Sequence, residues 1–357
     1  MGQGAVDKLP QVLPQGKVLV ITDKGLLATG MVDRLCQHIP HAHIFSDIDT
    51  EPTTKDLDQA LDMFRTGAYT AVVGIGGGSA LDMAKAVAAL GNTPMAAAEG
   101  LGNHPKSTRD TFSVAIPTTA GTGSESTLNA IFIDSCDGVK KAIVSPACVP
   151  DVAVLDPDLV VSLPPSLTAS TGIDALCHCV ESFISVKANP LSEVWSIRGI
   201  HLIEANLPQA VANPEDTHAR LHMLVASYCG GAALAIAGTN AVHALAYPLG
   251  KRGVPHGVAN SLLFLPVMAF NLPACEDKFL ALAKGEATPQ AVLARMGALV
   301  TSLPIPSITA YPITAADIDT LAAEAMEQTR LLGNNPRDMS LQQARDIYQT
   351  LFSEQNA

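Results

Sequence analysis

The chain has 357 residues, 48% of them hydrophobic, which is enough apolar surface to pack a core in each of two domains of ordinary size. Its 22 basic and 34 acidic side chains leave a net charge of -12, so nothing draws it generally to nucleic acid or to an anionic membrane. The apolar stretch at 261–270 and the Ala/Leu-rich run after Gly231 are too short, or too interrupted by Pro and Gly, to span a bilayer.

The N-terminal MGQGAVD lacks the basic and apolar regions of a secretory signal, and the seven scattered cysteines read as reduced thiols, so the expected compartment is the cytoplasm. Along the first half, 18–22 (VLVIT), 43–45, 71–75 (AVVGI) and 112–117 (FSVAIP) read as strands, with helical spacing at 25–38, 54–66 and 79–90 between them. That alternation predicts an α/β domain with a parallel sheet. Residues 129–134 and 141–144 are expected to pair antiparallel around the polar turn 135–138, and 152–155 reads as one more strand.

The SLPPSL segment at 162–167 is a natural boundary, because its prolines stop the preceding structure and can open a helix. Beyond it 166–185, 190–206, 216–236, 239–247, 257–270 and 314–329 carry helical spacing. The expected organisation is an α/β domain over 1–161 and an all-α domain over 162–357.

GIGGGS at 74–79 follows a predicted strand and leads into a helix. Glycines there let backbone N–H groups approach a phosphate, and the helix N-terminus adds the positive end of its dipole. The pattern is not the standard G-x-G-x-x-G, and such turns also occur without ligand. A second polar loop, PTTAGTGSEST at 117–127, follows the fourth strand, and two such loops at carboxyl ends of parallel strands define a ligand crevice. The alternative is that its hydroxyls only cap turns. Asp23, just past the first strand, suits a ribose 2′-OH and would favour NAD over NADP; as a helix N-cap it would need no ligand.

In the second half, Asp174 and His178 stand at i and i+4, on one helical face, where both can ligate a metal or simply bond each other. Cys177 and Cys179 flank His178 but face elsewhere, and read as helix packing. His243 lies on an apolar helix that Pro248 and Gly250 are expected to end, and His256 opens another. Each has a plain alternative, a buried core histidine and a capping residue. One oxygen and three nitrogen donors suit Fe(II) or Zn(II), which polarises a carbonyl while a nicotinamide carries the hydride. Tyr247, one turn after His243, is a candidate proton source or a buried aromatic. Lys251 and Arg252 read either as an attraction for an anionic aldehyde or as a solvated pair.

The motifs GGGSALDMAKAVA, PTTAGTGSES, DVAVLDPDL, GIDALCHCVES, VPHGVANSLL and GNNPRD together resemble the iron-containing (group III) alcohol dehydrogenase family, lactaldehyde reductase among its members, over nearly the whole chain. The resemblance implies a dinucleotide-binding domain, a helical domain, a metal on Asp174, His178, His243 and His256, NAD as cofactor and a homodimer. It puts Asp23, Gly76, Gly77, Gly78, Ser79, Thr118, Thr119, Thr122, Thr127 and Lys140 at the cofactor and Asn129 toward a small alcohol or aldehyde substrate. The chain departs from the family in three ways: Tyr247 stands where relatives carry His, the family's usual first strand is missing before the 2–6 segment, and the region after Asn271 is short, with Leu331 near the substrate end. Dehydroquinate synthase shares this fold and performs a lyase reaction, but its charged substrate-binding set is not apparent here; maleylacetate reductase is a relative without the metal set.

Overall fold

The computed structural model describes residues 1–39, 41–48, 51–103 and 109–353. They form two compact units, Met1–Val161 and Ser162–Ala357.

The first unit holds strands β1 (Lys17–Ile21), β2 (Ala42–Phe45), β3 (Tyr69–Gly76), β4 (Gly102–Asn103), β5 (Phe112–Pro117), β6 (Asn129–Ile133), β7 (Lys140–Val144) and β8 (Val152–Ala153). Its helices are α1 (Leu9–Val12), α2 (Lys24–Ala28), α3 (Met31–Cys36), α4 (Thr54–Gly67) and α5 (Gly78–Leu90). Five strands build one parallel sheet in the order β2-β1-β3-β5-β8. Alternation along β1 splits its apolar residues between two cores. Leu19 and Ile21 pack with Leu57, Leu61 and Val87, whereas Val18 and Val20 pack with Val32, Leu35 and Leu9. A sheet covered on both faces is what β-branched runs in all-parallel strands require. A smaller sheet, β4-β7-β6, contains the expected antiparallel pair, with Ile133 opposite Lys140 and Asn129 opposite Val144. β4 joins it in parallel at Gly102–Ile143 and was not foreseen.

The expected helix at 25–38 is two helices. Gly30 sits at φ 70°, a left-handed conformation that no α-helix can continue through, so the chain breaks there and restarts at Met31.

The second unit is helical: α6 (Pro165–Ile184), α7 (Pro190–Ala212), α8 (Thr217–Ala237), α9 (Ala241–Gly250), α10 (His256–Asn271), α11 (Glu276–Ala281), α12 (Pro289–Thr301), α13 (Ile318–Met326), α14 (Thr329–Leu332) and α15 (Leu341–Ser353). Helices α6, α7 and α8 pack on one another, and α10 lies against α6 and α9. By length and hydropathy, α8 and the stretch His256–Ala274 would each suffice to cross a bilayer; here both are packed among the other helices of the unit. Two expectations are corrected. Pro248 does not end α9 but lies inside it, in the last turn before Gly250, and α7 runs past 206 through Pro208 to Ala212.

Candidate functional site: a metal centre and a nucleotide pocket

The buried face of α6 presents Asp174, His178 and Glu181, spaced i, i+4 and i+7, so all three project from one side. His243 joins them from the first turn of α9, and His256 is the first residue of α10. The potential ligand atoms of Asp174, His178, His243 and His256 all lie within 4.8 Å of one another. Asp174 Oδ1 is the hub, 3.9 Å from His178 Nε2, 3.8 Å from His243 Nε2 and 3.4 Å from His256 Nε2. Three members are buried and the His256 side chain is 53% exposed, so the cluster is open on one side only. Donors of this kind, one carboxylate and three imidazoles converging on one point, fit a divalent Fe(II) or Zn(II) ion.

The surroundings favour the ionised form of Asp174 and draw His243 toward its protonated form, a proton that a metal at Nε2 would displace. Burial pushes the Asp174 carboxyl up, but His178, His256, His243 and a hydrogen bond from Asn260 outweigh it and hold the group below the usual carboxylate range. Burial pulls His243 down, while the Glu181 carboxylate, through charge and hydrogen bond, and Asp174 bring it above the ordinary imidazole value.

Glu181 and Asn260 are residues of this centre that the sequence reading did not single out. Fully buried, Glu181 accepts at Oε1 from the backbone N–H of Asn240 at 3.0 Å and Val242 at 2.8 Å, at the positive end of α9. Its Oε2 closes a short hydrogen bond with His243 Nδ1. A carboxylate can only accept, so the proton is on Nδ1 and the Nε2 lone pair faces the cluster, as in carboxylate–histidine–metal arrangements. The i+7 spacing from Asp174 was the available signal.

Tyr247 is half-buried on α9, one turn beyond His243. Arg252 spends both terminal nitrogens on Glu324 of α13, at 3.1 and 3.0 Å, and Lys251 lies 3.6 Å from the same carboxylate. Both cations of this segment thus face Glu324 of α13, Arg252 largely buried and Lys251 half-exposed. Leu331 is buried on α14.

In the first unit a cavity of about 410 Å³ is lined by Asp23, Lys24, Gly25, Ile48, Gly77, Gly78, Ser79 and Ala80. It lies past the carboxyl ends of β1 and β3, where the sheet order turns in opposite directions, the switch point at which parallel α/β sheets take ligands. Glycine is required in the β3–α5 turn beside it. Gly76 has φ 152°, and a Cβ there would stand 2.7 Å from Ala80 Cβ; one on Gly78 would stand 2.9 Å from Thr122 Cγ2. The N-cap of α5 is Gly77, with no side chain to cap it, which leaves first-turn N–H groups for an anion.

Asp23 caps α2, its Oδ1 accepting from Leu26 N at 2.8 Å, and its Oδ2 leans to 3.3 Å from the point a Gly76 Cβ would occupy. The two readings of Asp23 are thus compatible. Thr118 N donates to Gly76 O at 2.9 Å, and Thr119 lies against Gly77, bringing the second polar loop alongside the first. The Thr127 hydroxyl accepts from Lys85 at 2.7 Å, and the Asn129 carbonyl also accepts from Lys85. Lys140, on β7, pairs with Glu51 and is not among the residues lining the cavity.

Lys85 is a further element that was not foreseen. Only 1% exposed, it donates to Ser124 Oγ at 3.0 Å and to Thr127, and pairs with Asp82 at 3.1 Å, so one buried cation fastens α5 to the 117–127 loop.

A family model described as iron-containing alcohol dehydrogenase matches residues 1–157, and one described as the C-terminal part of the Fe-containing alcohol dehydrogenase family matches 168–352. The chain belongs to the iron-containing alcohol dehydrogenase family. Among members of this family, long-chain-alcohol dehydrogenase 1 of Geobacillus thermodenitrificans is 36% identical, covering 99% of this chain and 94% of its own. Lactaldehyde reductase of Escherichia coli is 32% identical, over 98% of this chain and 97% of its own. The solved structure of sulfoacetaldehyde reductase from Bifidobacterium kashiwanohense in complex with NAD+ superposes with a TM-score of 0.90 at 28% identity, over 99% of this chain and 96% of that one.

Proposed function

We propose that this iron-containing alcohol dehydrogenase interconverts a small alcohol and its aldehyde with NAD, using a divalent metal held by Asp174, His178, His243 and His256. The observation that carries the reading is the convergence of those four donors within 4.8 Å in a site open at His256. Bound there, iron or zinc supplies Lewis-acid polarisation of the substrate oxygen, and the nicotinamide supplies or accepts the hydride.

The residues of the chain do the rest. Asp174 stays ionised beside the imidazoles, and Glu181 holds the proton on His243 Nδ1. Tyr247 is the proposed proton source for the nascent alkoxide, taking the place of the relatives' histidine. Gly76 to Ser79 bind the pyrophosphate on the α5 N-terminus, Thr118, Thr119, Thr122, Thr127 and Lys140 complete the cofactor's surroundings, Asp23 receives the adenosine ribose, and Asn129 faces substrate. The reading includes a homodimer, on family resemblance, in the cytoplasm, to which seven free thiols are suited.

The test is NADH oxidation against a panel of short-chain aldehydes, before and after chelation and with Fe(II) or Zn(II) restored under exclusion of oxygen. Activity lost on chelation and recovered with one of the metals is the expected result. Failure of every metal-loaded form on every aldehyde would overturn the reading.

A further inference from the structure

We propose that Asn260 is a positioning residue of the metal centre, whose side-chain amide gathers the ligand atoms; the inference rests on the metal reading above. Asn260 is fully buried on α10, one turn beyond His256 and on the same face. Its Nδ2 donates to Asp174 Oδ1 at 2.7 Å and lies 3.2 Å from His256 Nε2 and 3.3 Å from His243 Nε2. Three of the four donor atoms therefore share one amino group.

The chemistry explains why an amide stands there. Every atom a metal would contact brings a lone pair, and such atoms crowded together repel unless something positive lies among them. A carboxamide NH₂ donates without adding a charge: with a metal bound it would hold the remaining lone pair of Asp174 Oδ1, and without one it also lies within reach of the two Nε2 atoms. The reverse orientation would set a carbonyl oxygen against the Asp174 carboxylate, so the nitrogen faces inward. Asn260 Oδ1, meanwhile, is buried and makes no hydrogen bond among the described residues. The side chain is thus oriented by the ligand cluster and not by satisfaction of its own carbonyl. The Asp174 oxygen it holds is the one that faces all three imidazoles, and the backbone carbonyl of Asn260 accepts from Cys177 Sγ of α6, next to His178, at 3.9 Å.

The experiment measures Co(II) affinity by chelator competition, with the Co(II) absorption spectrum, in the wild-type chain and in two variants of similar size. Asn260→Leu removes the donor; Asn260→Asp keeps the shape and replaces the donor with a second carboxylate. Circular dichroism and NADH affinity report whether each variant is folded. Both variants should bind Co(II) more weakly, by roughly 10- to 100-fold, the range for loss of an outer-layer partner, with an altered spectrum and unchanged NADH affinity. If Asn260→Leu does not fold, the Asp variant carries the test alone. Wild-type affinity and spectrum in Asn260→Leu, or equal or tighter binding in Asn260→Asp, would overturn the proposal, the latter by showing that the position acts as a ligand. Absence of Co(II) uptake by the wild type would instead overturn the metal reading beneath it.

Discussion

The His243 imidazole meets Glu181 across 62 residues of sequence, and this contact decides which ring nitrogen faces the other ligands. Glu181→Gln keeps an oxygen for the α9 backbone but turns an N–H toward Nδ1, which forces the ring proton onto Nε2 and blocks ligation. Metal affinity should fall roughly 10- to 100-fold, read by chelator competition, while the far-ultraviolet dichroism stays unchanged. Glu125 is a different case. It is 3% exposed, neither carboxyl oxygen has a hydrogen-bond partner among the described residues, and burial pushes it from the usual 4.5 up to about 7 against the pull of its own amide and of Lys85. The folded chain keeps a proton there that the unfolded chain has released, so stability should fall as pH rises from about 4.5 through about 7. Glu125→Gln should remove that slope. Thermal midpoints of variant and wild type should nearly coincide at about pH 5, with the variant higher at about pH 8; equal midpoints at both would contradict this account.

At the level of elements, regular patterns were legible and positions set by partners were not. Continuous apolar runs rich in β-branched residues located β1, β3 and β5, because a sheet covered on both faces needs them. The ligand helices could be found because Asp174 and His178 share one face. Glu181 and Asn260 went unnoticed because their roles are contacts between helices, which no spacing within one segment declares. The break at Gly30 is similar, since Val32 and Leu35 keep helical spacing on its far side while the backbone conformation does not. Helix α12 was legible in the spacing of Val292, Leu293, Met296, Leu299 and Val300 and was passed over, whereas the buried Ala344, Ile347 and Tyr348 of α15 sit in a polar run. For the β3–α5 turn the prediction is direct. Gly76→Ala places a Cβ on a left-handed backbone and against Ala80, a strain of about 1–3 kcal/mol. NADH affinity, followed by fluorescence titration, should drop about tenfold or more, that energy being worth at least a factor of ten at its middle.

For the whole molecule, each unit buries its own apolar residues, and each carries one of the two proposed ligand sites. A metal that binds only the folded chain stabilises it by about 2.7 kcal/mol when present at 100 times its dissociation constant. Chelation should therefore lower the thermal midpoint seen by calorimetry, and lost hydrogen-exchange protection should concentrate in α6, α9 and α10. Exchange that rises uniformly along the chain, or not at all, would contradict a centre built from those helices.

The carboxylate of Asp23 both starts α2 and leans over Gly76. If Asp23 receives the adenosine ribose as proposed, cofactor preference and local folding share one side chain, and evolution or an engineer cannot alter the first by deletion without touching the second. Asp23→Ala should admit NADPH and also lose the cap, at about 1 kcal/mol. Asp23→Ser retains an oxygen for Leu26 N and discards only the charge, so it should accept NADPH with the thermal midpoint preserved, a comparison of two coenzymes and one melting curve. A lineage moving from NAD to NADP would find its passable route through a hydroxyl.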